Sequence, residues 1–351
     1  GKVICNSFYG NFPRIISDGA GGAIIAWFDG RDGNWDDVYA QRVNASGAIQ
    51  WIADGVAVVT PGAIAKAGGD IVSDGAGGAI ITWTEGAFTV NDDIYAQRVN
   101  ASGIVQWGAK GRAISLENGH QFSSQIISDG AAGAIIVWSD RRSGIDNDIY
   151  AQRVNASGTA QWMANGRAIC TATNNQDWPQ IAGDGAGGAV IAWTDTRLAN
   201  SKLVYAQQVN ASGAGQWTAD GAAIGTFKNA AYVLYPCIAS DGIGGAVMAW
   251  EGVNGLYAQR VGDTTAPTVS VLTATPAVGR STTKITFNIT ASDNLGLAKL
   301  ELFVDGVTKE SWSVSGTPIT KTYPGTFAVG NHAYYVKATD SAGNVGYSTG
   351  H

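Results

Sequence analysis

Ile16-Ser17-Asp18-Gly19-Ala20-Gly21-Gly22-Ala23-Ile24-Ile25-Ala26-Trp27 is the stretch whose reading decides the fold. Asp-Gly and Gly-Gly supply the positive φ values of a tight hairpin at little steric cost. The apolar run that follows is too short and too glycine-bounded for a helix, so it reads as a strand buried on both faces. The stretch returns at 72–83, 127–138, 183–193 and 239–250. Five copies of one hairpin mean five copies of one structural unit.

Around the hairpin, each unit runs through Gly-x-Ala-Ile, a variable loop, a strand ending at Ser-Asp-Gly, the apolar strand and a polar loop. A strand such as Asp37-Val38-Tyr39-Ala40-Gln41-Arg42-Val43 follows, then Asn44-Ala45-Ser46-Gly47 and Gln50-Trp51. Units begin at Gly1, Gly55, Gly111, Gly166 and Gly221, spaced by 54, 56, 55 and 55 residues. Such a period marks a stacked or radial repeat, and three or four antiparallel strands per unit suit a β-propeller. The fifth unit stops after Arg260-Val261, while the chain opens on Gly1-Lys2-Val3-Ile4-Cys5, the segment that follows Gln-Trp elsewhere. The expectation is ring closure, with the N-terminal strand completing the last blade at its outer edge.

On the Ser-Asp-Gly-x-Gly-Gly and Tyr-Ala-Gln-Arg-Val repeats, residues 1–263 resemble the tandem-repeat propellers of secreted bacterial proteins. A linker, Asp263-Thr264-Thr265-Ala266-Pro267-Thr268, follows. Beyond it, Ala291-Ser292-Asp293-Asn294, the 299–306 stretch and Ala338-Thr339-Asp340-Ser341-Ala342-Gly343-Asn344 are similar to bacterial immunoglobulin-like modules. Alternating strands with turns between them support a sandwich independently. The expected fold is therefore all-β: a five-bladed β-propeller over 1–263 followed by an immunoglobulin-like β-sandwich over 264–351. Only Val345 to His351 remain for the last sandwich strand, which reads as very short, cut short, or completed by another chain.

Charged residues make up only 14%, and 48 glycines accompany 12 tryptophans, a composition of many short strands and tight turns. A net charge of −6 leaves no basic footprint for nucleic acid. No apolar run approaches the roughly 18–20 residues that span a membrane. Scarce Lys and Glu, plentiful Thr, Ser, Asn and Gly, and a first residue other than Met suggest a processed, secreted or cell-surface protein. Three cysteines (Cys5, Cys170, Cys237) are too few for a disulfide framework and read as unpaired thiols.

The polar loop after the Trp strand holds the candidate contacts. These are Asp29, Arg31, Asp32, Asp36 and Asp37 in unit one, Asp140, Arg142, Asp146 and Asp148 in unit three, and Asp195 and Arg197 in unit four. Unit two substitutes Glu85, Asp92 and Asp93, and unit five keeps Glu251. Clustered carboxylates of this kind pair with arginine across a hairpin, or hold Ca²⁺, which takes six to eight oxygens. No other metal or cofactor is expected, because His120, His332 and His351 form no ligand spacing. Trp35 and Trp178, in variable loops, are the aromatic contact candidates. Asn44, Asn100, Asn155, Asn210 and Asn288 fit the N-glycosylation pattern, though Asn-Ala-Ser-Gly is equally turn chemistry.

No serine or cysteine sits in a nucleophile elbow, and a glycosidase needs unlike carboxylates across its pocket, whereas these units look alike where they are acidic. The expectation is a non-enzymatic extracellular structural or adhesive protein, a filament or surface-assembly subunit joined by strand edges to its own copies or to surface proteins. The alternatives are a multivalent lectin-like propeller with glycan partners and a secreted glycoside hydrolase with its pocket in the variable loops.

Overall fold

The computed structural model describes residues 1–7, 10–31, 33, 37–62, 64–86, 91–198, 201–224, 234–252, 255–262, 265–293, 297–340 and 343–348. Among them every regular element is a β-strand, and there is no helix. The chain divides into two compact units, Gly1–Ser240 with Ala246–Gln259, and Asp241–Gly245 with Arg260–His351.

Five antiparallel sheets follow one another. The first holds β1 (Gly10–Ser17), β2 (Ala23–Asp29), β3 (Asp37–Val43) and β4 (Val56–Ala57). The second holds β5 (Lys66–Ser73), β6 (Ala79–Glu85), β7 (Asp93–Val99) and β8 (Arg112–Ser115). The third holds β9 (Gln121–Ser128), β10 (Ala134–Asp140), β11 (Asp148–Val154) and β12 (Arg167–Cys170). The fourth holds β13 (Gln176–Gly183), β14 (Ala189–Asp195), β15 (Leu203–Val209) and β16 (Ala222–Ala223). The fifth has three strands, β17 (Leu234–Ser240), β18 (Ala246–Gly252) and β19 (Gly255–Val261). The lead strands β1, β5, β9, β13 and β17 pack each on the next.

The repeated residues each have a structural task. Asp18 Oδ1 accepts the amides of Ala20 and Gly22 at 2.8 Å, and its Oδ2 accepts Arg42 Nε at 2.9 Å. Asp74 with Arg98 and Asp129 with Arg153 repeat the device. The buried Gln41 side chain accepts the amide of Trp51 and donates to the Ile52 carbonyl, clasping the Gln-Trp segment to β3. Gln97, Gln152 and Gln207 do the same. Trp51, Trp107 and Trp162 donate to the carbonyls of Ala101, Ala156 and Ala211 in the following sheet. Trp83, Trp138 and Trp193 are fully buried between sheets, among the isoleucines and valines of the core.

In the fourth sheet Gln208 stands where the others carry arginine. Asp184 Oδ2 is left without a hydrogen-bond partner, and burial pushes its carboxyl up. Gln208→Arg is expected to restore the pair and raise stability by about 1–2 kcal/mol near neutral pH, read by urea unfolding. An unchanged midpoint would refute the repair.

The expected closure by the N-terminal strand is not what the structure shows. Residues 1–7 form no strand, and the fifth sheet ends at β19. Instead Ser7 Oγ donates to Asp29 Oδ1 at 2.7 Å, the Asn6 amide donates to Asp54, and Arg31 contacts Cys5 Sγ at 3.1 Å. Cys5 thus sits against Arg31 of the first sheet as Cys170, at the end of the third sheet's last strand, sits against Arg197 of the fourth. The set of sheets is open. Ile15 is 68% exposed where its equivalents Ile71, Ile126 and Ile181 are 6%, 4% and 9%. Leu256 is 86% exposed where Val38, Ile94, Ile149 and Val204 are at most 2%. The three cysteines are free.

The second unit has two sheets. One is β20 (Thr268–Thr275), β21 (Ile285–Ser292) and β24 (Ile319–Gly325); the other is β23 (Val307–Ser313), β22 (Leu297–Val304), β25 (Tyr334–Asp340) and β26 (Val345–Tyr347). Phe287, Ile289, Leu300, Leu302, Val304 and Val336 form its core. Residues 345–347 pair with β25 in register. The strand that looked unfinished is therefore supplied, in three residues, by the chain itself.

Candidate functional site

The acidic loop residues predicted as contacts lie at the end of each sheet where the second strand turns into the third. Asp29, Asp140 and Asp195 are buried, each accepting Trp Nε1 from two residues before and Arg Nη2, at 2.6 Å, from two residues after. The guanidinium groups of Arg31, Arg142 and Arg197 lie over Tyr39, Tyr150 and Tyr205 at 3.7–4.0 Å. They also donate to the carbonyls of Asp54, Asn165 and Asp220. Burial alone would raise the Asp29 carboxyl, but its bonds from Arg31, Ser7 and Trp27 outweigh that and hold it well below the ordinary carboxylate range. These six side chains are engaged within the frame.

Asp37 is buried in an ion pair with Lys66 of the second sheet at 2.7 Å. Asp148 occupies the equivalent place on the third sheet. Trp35, Asp36 and Asp32 lie outside the described residues. Asn44, Asn155 and Asn210 use Oδ1 to accept the Ser amide and hydroxyl and a second amide of their own turns, and Asn100 accepts two amides. Asn288 lies half-buried on β21. Among the described residues no group of three or more His, Cys, Asp or Glu is arranged to hold a metal ion.

Sequence reasoning missed the lead strands. Each carries a bulge: the pairing shifts between Asn11 and Arg14, Ala67 and Asp70, and Asp177 and Gln180, and β9 shifts opposite Val137 and Ser139. At its centre Phe12, Gly68, Ser123 and Trp178 have φ of 48°, 51°, 55° and 51°. Left-handed backbone at a bulky residue costs about 1–3 kcal/mol and gathers at functional sites, and bulges re-aim side chains there. These positions are also where the units differ. The equivalent series are Asn11, Ala67, Phe122, Asp177; Phe12, Gly68, Ser123, Trp178; and Arg14, Asp70, Gln125, Gln180. A residue-by-residue alignment of the repeats, read for dissimilarity, carries that signal.

Two chemically mixed places result. Between the first and second sheets, Phe12, Arg14, Phe28, Lys66 and the Gly68-Gly69 backbone line a cavity of 340 Å³, with Phe12 74% exposed. Asp70 stands beside it, its carboxyl pushed up by burial and partly held back by the Ile126 amide and the Arg14 charge. Between the third and fourth sheets, Asn147 Nδ2 donates to Asp177 Oδ1 at 2.8 Å, and Lys202 lies over the Trp178 ring at 5.8 Å. Burial pushes the Asp177 carboxyl up, against the pull of Asn147, Lys202 and Arg141. In both places an aromatic ring stands beside a carboxyl that burial raises above its ordinary value.

No protein-family model matches the chain, and no curated protein does. Its fold is similar to that of endo-arabinase from Bacteroides thetaiotaomicron, at 12% identity and a TM-score of 0.38, over 75% of this chain and 97% of that one. It is similar to the Penicillium chrysogenum alpha-L-arabinanase complexed with arabinobiose, at 12% identity and 0.46, over 82% and 91%. An ulvan lyase is similar at 12% identity and 0.48, over 72% and 64%. The expectations of a non-enzymatic structural or filament subunit, and of no enzymatic activity, find no counterpart among these structures of similar fold, which are carbohydrate-active enzymes. The acids that look alike are frame residues, and the unlike positions sit on the lead strands, outside the polar loops.

Proposed function

We propose that the chain is a carbohydrate-acting propeller of five blades followed by an immunoglobulin-like sandwich, working outside the cell as a glycoside hydrolase. One observation carries this reading: the blades differ at the lead-strand bulges, where Phe12 and Trp178 stand near Asp70 and Asp177. A sugar ring presents an apolar C–H face to an aromatic ring and hydroxyls to polar neighbours, the mixture that small-molecule sites provide. A carboxyl that keeps its proton can protonate a glycosidic oxygen, with a second carboxylate acting on water or on the sugar. Asp177, beside Trp178, is the proposed acid. The rim positions that a multivalent lectin would use are taken up by bonds of the frame, which disfavours that alternative.

The test measures reducing-end release and glycan retention on a panel beginning with arabinan, ulvan and sialosides. Trp178→Ala is expected to weaken binding at least tenfold, and Asp177→Asn to abolish release while leaving binding. A folded protein that neither retains nor cleaves any glycan would overturn the reading.

A further inference from the structure

We infer that two of the sheet-to-sheet junctions are closed by a neutral carboxylic acid, Asp93 donating its proton to Gln121 and Asp148 donating its proton to Gln176.

The repeat supplies the reference. At the first junction Lys66 of β5 reaches back to Asp37 of β3, Nζ to Oδ1 at 2.7 Å, with both side chains buried. Registers place Lys66, Gln121 and Gln176 at one position, opposite Glu85, Asp140 and Asp195. They place Asp37, Asp93 and Asp148 at another, opposite Asp29, Glu85 and Asp140. The backbone confirms the approach: the Gln121 amide donates to the Asp92 carbonyl at 2.9 Å and the Gln176 amide to the Asn147 carbonyl at 2.7 Å. Each glutamine therefore enters beside the aspartate that follows.

The glutamine amides cannot turn their NH₂ toward those aspartates. Gln121 Nε2 is held by the carbonyls of Glu117 and Gly119 at 2.9 and 3.0 Å, and Gln176 Nε2 by Asn174 at 2.8 Å. Turning either amide would set its oxygen against carbonyl oxygens. The oxygens consequently point the other way, and Gln121 Oε1, Gln176 Oε1 and Asp93 Oδ1 are buried without a hydrogen-bond partner. A glutamine oxygen and an ionised carboxylate are both acceptors, so a contact between them needs one hydrogen, which a protonated carboxyl supplies. An unpaired buried polar atom otherwise costs about 1–3 kcal/mol.

The surroundings favour the neutral form. Glu85 and Asp92 face Asp93, with His120 on Asp92 at 2.8 Å, and burial with these like charges pushes Asp93 up to about 6. Asp146, Asp140 and Asp220 surround Asp148, with Arg142 opposing them, and burial with the carboxylates pushes Asp148 up to about 7. A carboxyl raised in the folded state contributes its full share at low pH and loses it as pH climbs through the folded value. The window runs from 3.8 to about 6 for Asp93 and to about 7 for Asp148. The junctions are thus tightest in mild acid and loosen toward neutrality.

The experiment is urea unfolding of the wild-type chain, Asp148→Asn and Gln176→Lys between about pH 4 and pH 8. The amide that Asp148→Asn introduces would keep a donor toward Gln176 at every pH. Asp148→Asn should match the wild type near pH 4 and exceed it near pH 8, removing up to tenfold per pH unit in the unfolding constant. Gln176→Lys should reverse the slope by turning the junction into an ion pair. Equal losses for Asp148→Asn at both pH values would overturn the inference. Carboxyl carbon NMR on wild-type protein needs no variant: both aspartates titrating near the ordinary value of about 4 would also overturn it.

Discussion

Asp140→Ala is expected to cost about 3–5 kcal/mol of folding stability, the penalty for stripping one partner from a buried ion pair. The Asp140 side chain is wholly buried, and it accepts Trp138 Nε1 at 2.7 Å, the Arg142 amide at 2.9 Å and the Arg142 guanidinium at 2.6 and 2.9 Å. Alanine leaves the buried indole N–H without this acceptor and a mostly buried guanidinium without its counter-charge. It also frees the hold of Arg142 on the Asn165 carbonyl at 2.8 Å, which ties the turn before β12 to the same corner. The second sheet supplies the control. There Glu85 meets Trp83 Nε1 at 3.4 Å, and the sequence has Ala87 where the first, third and fourth sheets have Arg31, Arg142 and Arg197. Glu85→Ala should cost about 1 kcal/mol, the worth of one ordinary hydrogen bond. Urea denaturation of both variants decides, and equal losses would mean that the arginine contributes nothing.

That contrast bears on what the sequence made legible. The Ser-Asp-Gly hairpin, the apolar strand and the Tyr-Ala-Gln-Arg-Val strand are governed by neighbours close in the chain, so turn chemistry and period-two patterning reveal them. The joining of sheets is governed by residues some 50 positions apart, as when Trp51 reaches Ala101 or Trp107 reaches Ala156. Nothing local announces such pairs. The candidate site was hidden for a second reason. Its distinguishing feature is a left-handed bulge at Phe12, Ser123 and Trp178, residue types that carry no turn signal, so only the register of the folded sheet displays it. Acidic repetition drew attention to Asp29, Asp140 and Asp195, whose likeness across units marks a shared structural corner. Closure failed as an expectation because Gly1 to Cys5 keep the sequence of an outer strand but are held by side chains of the first sheet, with no strand partner.

Gly133→Ala is expected to cost about 3 kcal/mol, at the upper end of the usual overpacking penalty, although alanine adds a single methyl group. A Cβ at Gly133 would lie 2.2 Å from the Val154 carbonyl oxygen, 2.7 Å from Asp129 Oδ2 and 3.0 Å from the Asn155 Cα. Two of the three obstacles are backbone, and the third is the carboxylate that accepts the Gly133 amide and holds Arg153. Relief requires the hairpin to back away from β11, which breaks the Asp129 clasp and lifts the start of β10 from its pairing with Val154. Gly130, three residues earlier, separates conformation from space: its φ is +77°, yet no atom lies within 4 Å of a Cβ built there. Gly130→Ala should cost only the left-handed backbone penalty of about 1–2 kcal/mol. Gly22, Gly78 and Gly188 meet a valine carbonyl at 2.1–2.2 Å in the same way, so the larger penalty should recur in the first, second and fourth sheets. Chemical denaturation of the eight variants, with Gly19, Gly75 and Gly185 as the remaining controls, tests this. If the two sets of alanines cost the same, the glycines after the turn are there for hairpin conformation alone, and the close approach of strand to hairpin places no demand on the sequence.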